Sequence, residues 1–225
     1  METLTDTWVV VPLYNEASVV GDVVSEVRRV FPNVVCVDDG SRDDSAEVAE
    51  SAGALVVRHP INLGQGAALQ TGFDFVMRST DGRFVATFDA DGQHSVDDVV
   101  AMREKALAED LAIVFGSRFL EGASREMSGF RRLVLRTAAA MTRLRTGARL
   151  TDAHNGLRLL DRRALASIRL RHNRMAHASE IVEQLIASKL PWAEMPVHIR
   201  YTDYSKAKGQ SLLNSVNILV ELFLG

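Results

Sequence analysis

The chain has 225 residues, 47% hydrophobic and 24% charged, with a net charge of −3. That is enough for one large domain or two small ones with a full core, and the composition is that of a soluble globular protein. No apolar run reaches the roughly eighteen residues of a bilayer span. The acidic start "METLTDTWVVVPLYNE" lacks the basic head of a secretory signal, and the single cysteine, Cys36, excludes an internal disulfide, so a reducing, cytoplasmic setting is expected.

The small net charge hides an asymmetry. Residues 1–117 carry 20 acidic and 8 basic side chains, whereas residues 118–174 carry 4 acidic and 14 basic, all fourteen arginine. An all-arginine excess points the middle of the chain toward phosphates, nucleic acid or a membrane surface. The alternative is two solvated faces that compensate each other.

In chain order, "WVVVPL" is a short apolar run, followed by Val19, Val20, Val23, Val24, Val27 and Val30 at helical spacing. "NVVCVDDG" is strand-like and leads to a short helix near Ala46 to Ser51. "ALVVRH", a helix from about Gly66 to Met77, "RFVATFD", a helix from Val96 to Ala108, and "LAIVFGS" complete the first half. Apolar runs of this length between amphipathic helices predict βαβ units: an α/β domain with a mostly parallel central sheet and helices on both faces. From Gly129 to Arg145 the apolar residues keep one helical face, with Arg132, Arg136 and Arg143 on the other. "TDAHNGLRLLDRRAL" reads as loop, short extended piece and helix start. Residues 179–189 read as helix, "EMPVHIRY" as extended, and "SLLNSVNILVELFLG" as an apolar end too short to cross a membrane.

In a parallel sheet, ligands bind beyond the carboxyl ends of the strands. Four of the five runs end in functional groups: "YNE" at 14–16, "DDGS" at 38–41, "DADGQH" at 89–94 and "GSR" at 116–118. Their convergence on one edge is the strongest functional signal in the chain. "GQGAAL" at 64–69 follows the third run and has Leu69 where a dinucleotide fingerprint needs glycine, and no P-loop motif exists. Its glycines suit phosphate on a helix start or a loop that must pack tightly. Asp43 or Asp44 is expected to cap a helix, and Asp39 to accept from a base or ribose. Alternate residues of an extended segment point one way, so Asp89, Asp91 and Gln93 converge as oxygen donors for Mg²⁺ or Mn²⁺, which would bind and neutralise a diphosphate. His94 is expected as a hydrogen-bonded loop histidine. Ser95, Asp97 and Asp98 are expected to cap and charge the next helix.

Together "VVVPLYNE", "VDDGSRDDS", "NLGQGAALQTGF", "FDADGQH" and "GSR", in this order, resemble the family 2 glycosyltransferases of GT-A, Rossmann-like fold. Within them the chain looks most like the dolichyl- or polyprenyl-phosphate sugar synthases. The resemblance implies one domain over 1–205, with a nucleotide-sugar half (1–117), an acceptor half (118–205) and an apolar extension at 206–225. It implies that Pro12, Leu13, Tyr14, Asn15, Glu16, Asp39, Gly64, Asp89 and Ala90 bind the nucleotide-sugar, and that Asp89, Asp91 and Gln93 hold the cation. Transfer would invert the anomeric centre.

On the acceptor side it implies a lipid phosphate met by Arg118, the stripe with Arg132 and Arg136, and Ser205, Lys206 and Lys208 beside Tyr204; the alternative is a family 2 glycosyltransferase acting on a soluble or polysaccharide acceptor. Asp152 is the candidate base or acceptor-positioning group and Glu180 its rival, which could instead orient a loop; an acceptor that is already a phosphate anion needs no strong base. Gln65 departs from a position that is commonly basic, and no transmembrane helices follow. The resemblance thus implies a peripheral enzyme at the inner face of the cell membrane, in direct contact or through an integral-membrane partner. The terminal segment suits membrane contact or a homodimer. Nucleic acid is not expected as a partner, because a nucleic-acid binder would leave the carboxylate edge without a purpose.

Overall fold

The computed structural model describes residues 3–120, 147–173 and 176–200. Its elements run β1 (Thr7–Leu13), α1 (Val20–Arg28), β2 (Asn33–Asp38), α2 (Ser45–Ser51), β3 (Leu55–Arg58), α3 (Gln65–Ser79), β4 (Phe84–Thr87), α4 (Val96–Ala108), β5 (Ile113–Ser117), β6 (Arg158–Asp161), α5 (Arg162–Ala166), α6 (His177–Ala187) and β7 (Trp192–Pro196). The strands form one sheet in the order β3-β2-β1-β4-β6-β5-β7. Every pairing is parallel except those of β6, which runs antiparallel between β4 and β5.

The period of two along a strand divides the core between the faces. Val9 and Val11 of β1 pack with Val20, Val24 and Val27 of α1 and Val99 and Met102 of α4. Val10, pointing the other way, packs with Leu69, Phe73 and Val76 of α3 and with Ile181, Val182 and Leu185 of α6. The two-faced α/β architecture expected from the apolar runs is the observed one. Each fully buried Val, Leu or Phe side chain contributes about 1.5–3 kcal/mol.

Two local expectations change. Ser95 precedes α4 at its N-cap without a side-chain cap bond, and Asp98 is buried, accepting from His198 N at 2.7 Å with His198 Nδ1 at 3.0 Å. Asp98 therefore ties the segment after β7 to α4, instead of only charging a helix start. Asp44 heads α2 without a cap bond, while Asp43 accepts from Ala17 N at 3.2 Å and from Ser45, linking the β1 and β2 loops.

Part of the arginine excess is engaged within the fold, Arg162 half-buried and Arg163 and Arg169 exposed. Arg162 donates to Met77 O, Thr80 O and Gly82 O, closing the C-terminal end of α3. Arg163 pairs with Asp161 and Asp110, and Arg169 with Asp74. The stripe with Arg132, Arg136 and Arg143, the group Tyr204, Ser205, Lys206 and Lys208, and the 206–225 extension lie outside the described residues.

Candidate active site

The loops after β1, β2, β4 and β5 meet at one edge, as the parallel sheet requires. Because β6 is antiparallel, its entering end lies at that same edge: Arg158 stands opposite both Thr87 of β4 and Phe115 of β5. Segment 152–157 therefore crosses the edge between Asp89 and Arg118.

Asp89 is held from several sides. His94 Nε2 stands 3.0 Å from its Oδ2, and Gln65 Nε2 donates to its Oδ1 at 3.3 Å. Gly156 leaves it the space a Cβ would occupy. Burial alone would raise its pKa; the His94 bond and the charges of His94, Arg158 and His177 outweigh that and hold it below the usual carboxylate value. Asp91 goes the other way, raised by burial and then by the negative charges of Asp89 and Glu16, despite the Gln93 N–H that donates to it at 3.0 Å. Asp89 and Asp91 thus share one neighbourhood whose positive charge favours Asp89.

That donor chemistry fits a hard divalent cation. Among the described residues no group of three His, Cys, Asp or Glu side chains is arranged to hold an ion by itself. Mg²⁺ commonly takes one or two carboxylates and completes its shell with substrate phosphates and water. His94 is the hydrogen-bonded loop histidine expected, edge-on to Phe88 with ring centroids 5.3 Å apart.

The nucleotide side is built by Asn15 and the loop after β2. Asn15 adopts φ +54°, receives Arg42 N on its Oδ1 at 2.8 Å and donates its own N–H to Ser41 Oγ at 3.0 Å. Glu16 N donates to Ser45 Oγ at 2.7 Å. Asp39 is 2% exposed and accepts from Leu63 N at 2.9 Å and Gly64 N at 2.7 Å, with His59 Nδ1 at 2.8 Å. The carboxylate expected to receive a base or ribose thus anchors the 59–64 loop beneath the edge. Gly64, at φ +102°, and Gly66 are crowded by the 172–173 backbone, and Gly66 N donates to Asn173 O at 3.0 Å. Of the two readings of "GQGAAL", these contacts match tight packing.

On the other side of segment 152–157, Arg118 and Asp152 form a two-pronged pair: Nε to Oδ2 at 2.7 Å, Nη2 to Oδ1 at 2.8 Å, and Arg118 N to Oδ2 at 3.0 Å. Burial would raise the Asp152 pKa, but the Arg118 charge and bonds prevail and lower it. A carboxylate held anionic in this fork is a poor proton acceptor, so of the two alternatives for Asp152 the geometry fits a positioning group better than a base. Glu180 accepts from Arg171 N at 3.0 Å, His172 N at 2.9 Å and Gln184 Nε2 at 3.0 Å. These contacts fit its loop-orienting alternative.

Sequence reasoning passed over three residues here. Arg158, 3% exposed, has its pKa pushed down to about 10 by burial, against the attraction of Asp89 and Asp152. His154 is pushed down to about 4 by burial and then by Arg158 and Arg118, outweighing Asp152. Glu194 of β7 grips Thr151 and Asp152. Among the described residues, the buried side-chain atoms without a hydrogen-bond partner are His94 Nδ1, His154 Nδ1, Asn155 Nδ2 and Arg158 Nε. All four belong to this edge, and a cluster of such atoms is a signal of a ligand site.

A seven-stranded α/β sheet with a diacid at one strand end and an arginine at the next but one defines a candidate nucleotide-dependent transferase. The chain matches the family described as Glycosyl transferase family 2 over residues 8–169, and it belongs to that family. An uncharacterised protein of Methanocaldococcus jannaschii is 32% identical, covering 97% of this chain and 91% of its own length. A UDP-N-acetylglucosamine–dolichyl-phosphate N-acetylglucosaminyltransferase of Methanococcus voltae is 26% identical, covering 96% of this chain and 94% of its own. Crystals of Mycobacterium tuberculosis glucosyl-3-phosphoglycerate synthase with Mn²⁺, UDP and glucosyl-3-phosphoglycerate share the fold at TM-score 0.65 and 20% identity, over 96% of this chain and 79% of that one. Relatives named for dolichyl and polyprenyl acceptors place the chain near the branch its motifs resemble.

Proposed function

We propose that this glycosyltransferase moves a sugar, with inversion, from a nucleotide-diphosphate sugar to a polyprenyl phosphate or polyprenyl-linked acceptor at the inner face of the membrane. The observation that carries the reading is the pairing, along one sheet edge, of the Asp89–Asp91 diacid with Arg118, with segment 152–157 between them. Asp89, Asp91 and Gln93 would hold Mg²⁺ or Mn²⁺ together with the diphosphate. When bound, the ion neutralises the charge on the departing nucleotide. Pro12, Leu13, Tyr14, Asn15, Glu16 and Ala90 would line the nucleotide, with Asp39 and Gly64 shaping that cradle from below.

Arg118, oriented by Asp152, would supply the positive charge for the acceptor phosphate. A phosphate oxygen is already an anion, so the attack needs no side-chain base, which agrees with an Asp152 held by arginine and a Glu180 held by backbone. Among the described residues no helix is long and apolar enough to cross a membrane; the reading takes membrane contact as peripheral or through a membrane partner. Relatives named for lipid phosphates support the acceptor class.

The test is a panel of nucleotide-sugars assayed with Mn²⁺, with and without a polyprenyl phosphate. Lipid-dependent transfer that Asp91→Ala abolishes is the expected result. Undiminished metal-dependent turnover by Asp91→Ala rejects the metal assignment, and glycosylation of water-soluble acceptors alone rejects the lipid half.

A further inference from the structure

The acceptor side of the site is closed by a carboxylate on an edge strand. Glu194 lies in β7, beside Phe115 of β5. Its oxygens accept from Thr151 N at 2.8 and 2.9 Å, from Thr151 Oγ1 at 2.9 Å and from Asp152 N at 3.1 Å. The same threonine hydroxyl stands 2.6 Å from Ser117 Oγ, which in turn accepts from Phe119 N at 3.1 Å. Residue 118, between Ser117 and Phe119, is the arginine whose guanidinium is forked onto Asp152.

The bonds therefore run continuously from Glu194 through Thr151 and Asp152 to Arg118, and return along Ser117. Two carboxylates lie on adjoining links of this chain. A neutral side chain could tie a strand to a loop with less electrostatic opposition. What a carboxylate adds is strength: charge-assisted bonds to N–H groups are short and roughly twice as strong as neutral ones. Such strength is useful where a group must be held to within a fraction of an ångström.

We propose that Glu194 is a positioning residue for sugar transfer. By fixing the backbone of Thr151 and Asp152 it sets the plane in which Asp152 presents the Arg118 guanidinium, and hence where an acceptor phosphate meets that charge. This deepens the role proposed for Arg118 and rests on it.

Glu194→Gln keeps the size of the side chain but turns one oxygen into an NH₂ group that opposes the Thr151 and Asp152 donors. With farnesyl phosphate as the acceptor probe, its KM is expected to rise about ten- to a hundredfold, while KM for the nucleotide-sugar moves less than twofold. Thr151→Val removes only the hydroxyl link and should shift the acceptor KM in the same direction by less. The Nε–H NMR signal of Arg118, assigned by its loss in Arg118→Lys, reports the guanidinium itself and should move in both variants.

An unmoved signal with an unchanged acceptor KM overturns the proposal. So does a parallel loss of donor and acceptor parameters with a lowered melting temperature in both variants, which marks Glu194 as a structural staple. A moved signal in a protein whose wild type transfers nothing to farnesyl phosphate supports the hold of Glu194 on Arg118 and rejects the acceptor reading instead.

Discussion

Gly156 and Asp89 occupy adjoining space so closely that a Cβ added to Gly156 would lie 2.5 Å from Asp89 Oδ2. The glycine is needed for this approach and not for an unusual backbone, since it is absent from the positive-φ residues. Residues 67 positions apart thereby fix the seat of one carboxylate.

Gly156→Ala is therefore expected to push Asp89 off its position while leaving the fold intact. Metal-dependent transfer should fall about a hundredfold, the scale of an ångström-sized misplacement at a reacting centre. Activity within twofold of wild type would show that Asp89 has no fixed role.

Asp91→Asn separates function from stability. The Asp91 pKa is raised by burial and by Asp89, so its charged form is disfavoured in the fold. A raised folded value means stability that is fully present below the unfolded pKa of about 3.9 and lost as pH rises through the folded one. The variant should bind Mn²⁺ at least tenfold more weakly, yet without metal melt about 2 °C higher at pH 7, an advantage that vanishes below pH 4. Calorimetry across that range with EDTA, beside a Mn²⁺ titration, tests both halves.

Asp152→Asn has the opposite sign. The Asp152 pKa is lowered, so its stabilisation is present above the unfolded value and is lost as pH falls through the folded one. Breaking one partner of a buried pair costs about 3–5 kcal/mol, and the side chains of Arg118 and Asp152 are only 12% and 1% exposed. Urea unfolding should show that loss at pH 7 and a smaller one in strong acid. An equal difference at both pH values would contradict the ion-pair account.

His154 supplies a separate pH limb. With its pKa pushed down to about 4 from 6.5, the unfolded chain binds a proton that the fold does not, so stability falls as pH drops from about 6.5 toward 4. His154→Gln should remove about 1–3 kcal/mol of that fall. Parallel wild-type and variant stability profiles between pH 7 and 4.5 would place the imidazole in solvent.

Much of this fold was legible because it is periodic. The valines from 19 to 30 marked α1, Val96 to Ala108 were delimited as α4, and the apolar runs announced strands whose polar ends meet at one edge. What stayed hidden depends on distant contacts. The short extended piece in "TDAHNGLRLLDRRAL" is β6, but its antiparallel direction, set by pairing with β4 and β5, could not be read from its residues. Glu194 reaches Asp152 across 42 positions, and Arg158 looks in sequence like any other arginine of a basic stretch. Composition directed those arginines outward as a class, but burial and helix-end carbonyls claimed Arg158 and Arg162 individually.

The one reversed strand among the described residues also makes the sheet a ruler. Asp89 follows β4 and Arg118 follows β5, and with β6 between them the two strands stand two ladder spacings apart, about 9–10 Å. Direct neighbours would halve that gap, and a second inserted strand would add about 4.8 Å. Under the proposed function, the backbone spacing between the strand ends that carry the two charges is thus set in whole strands, and loops and side chains supply the finer adjustment.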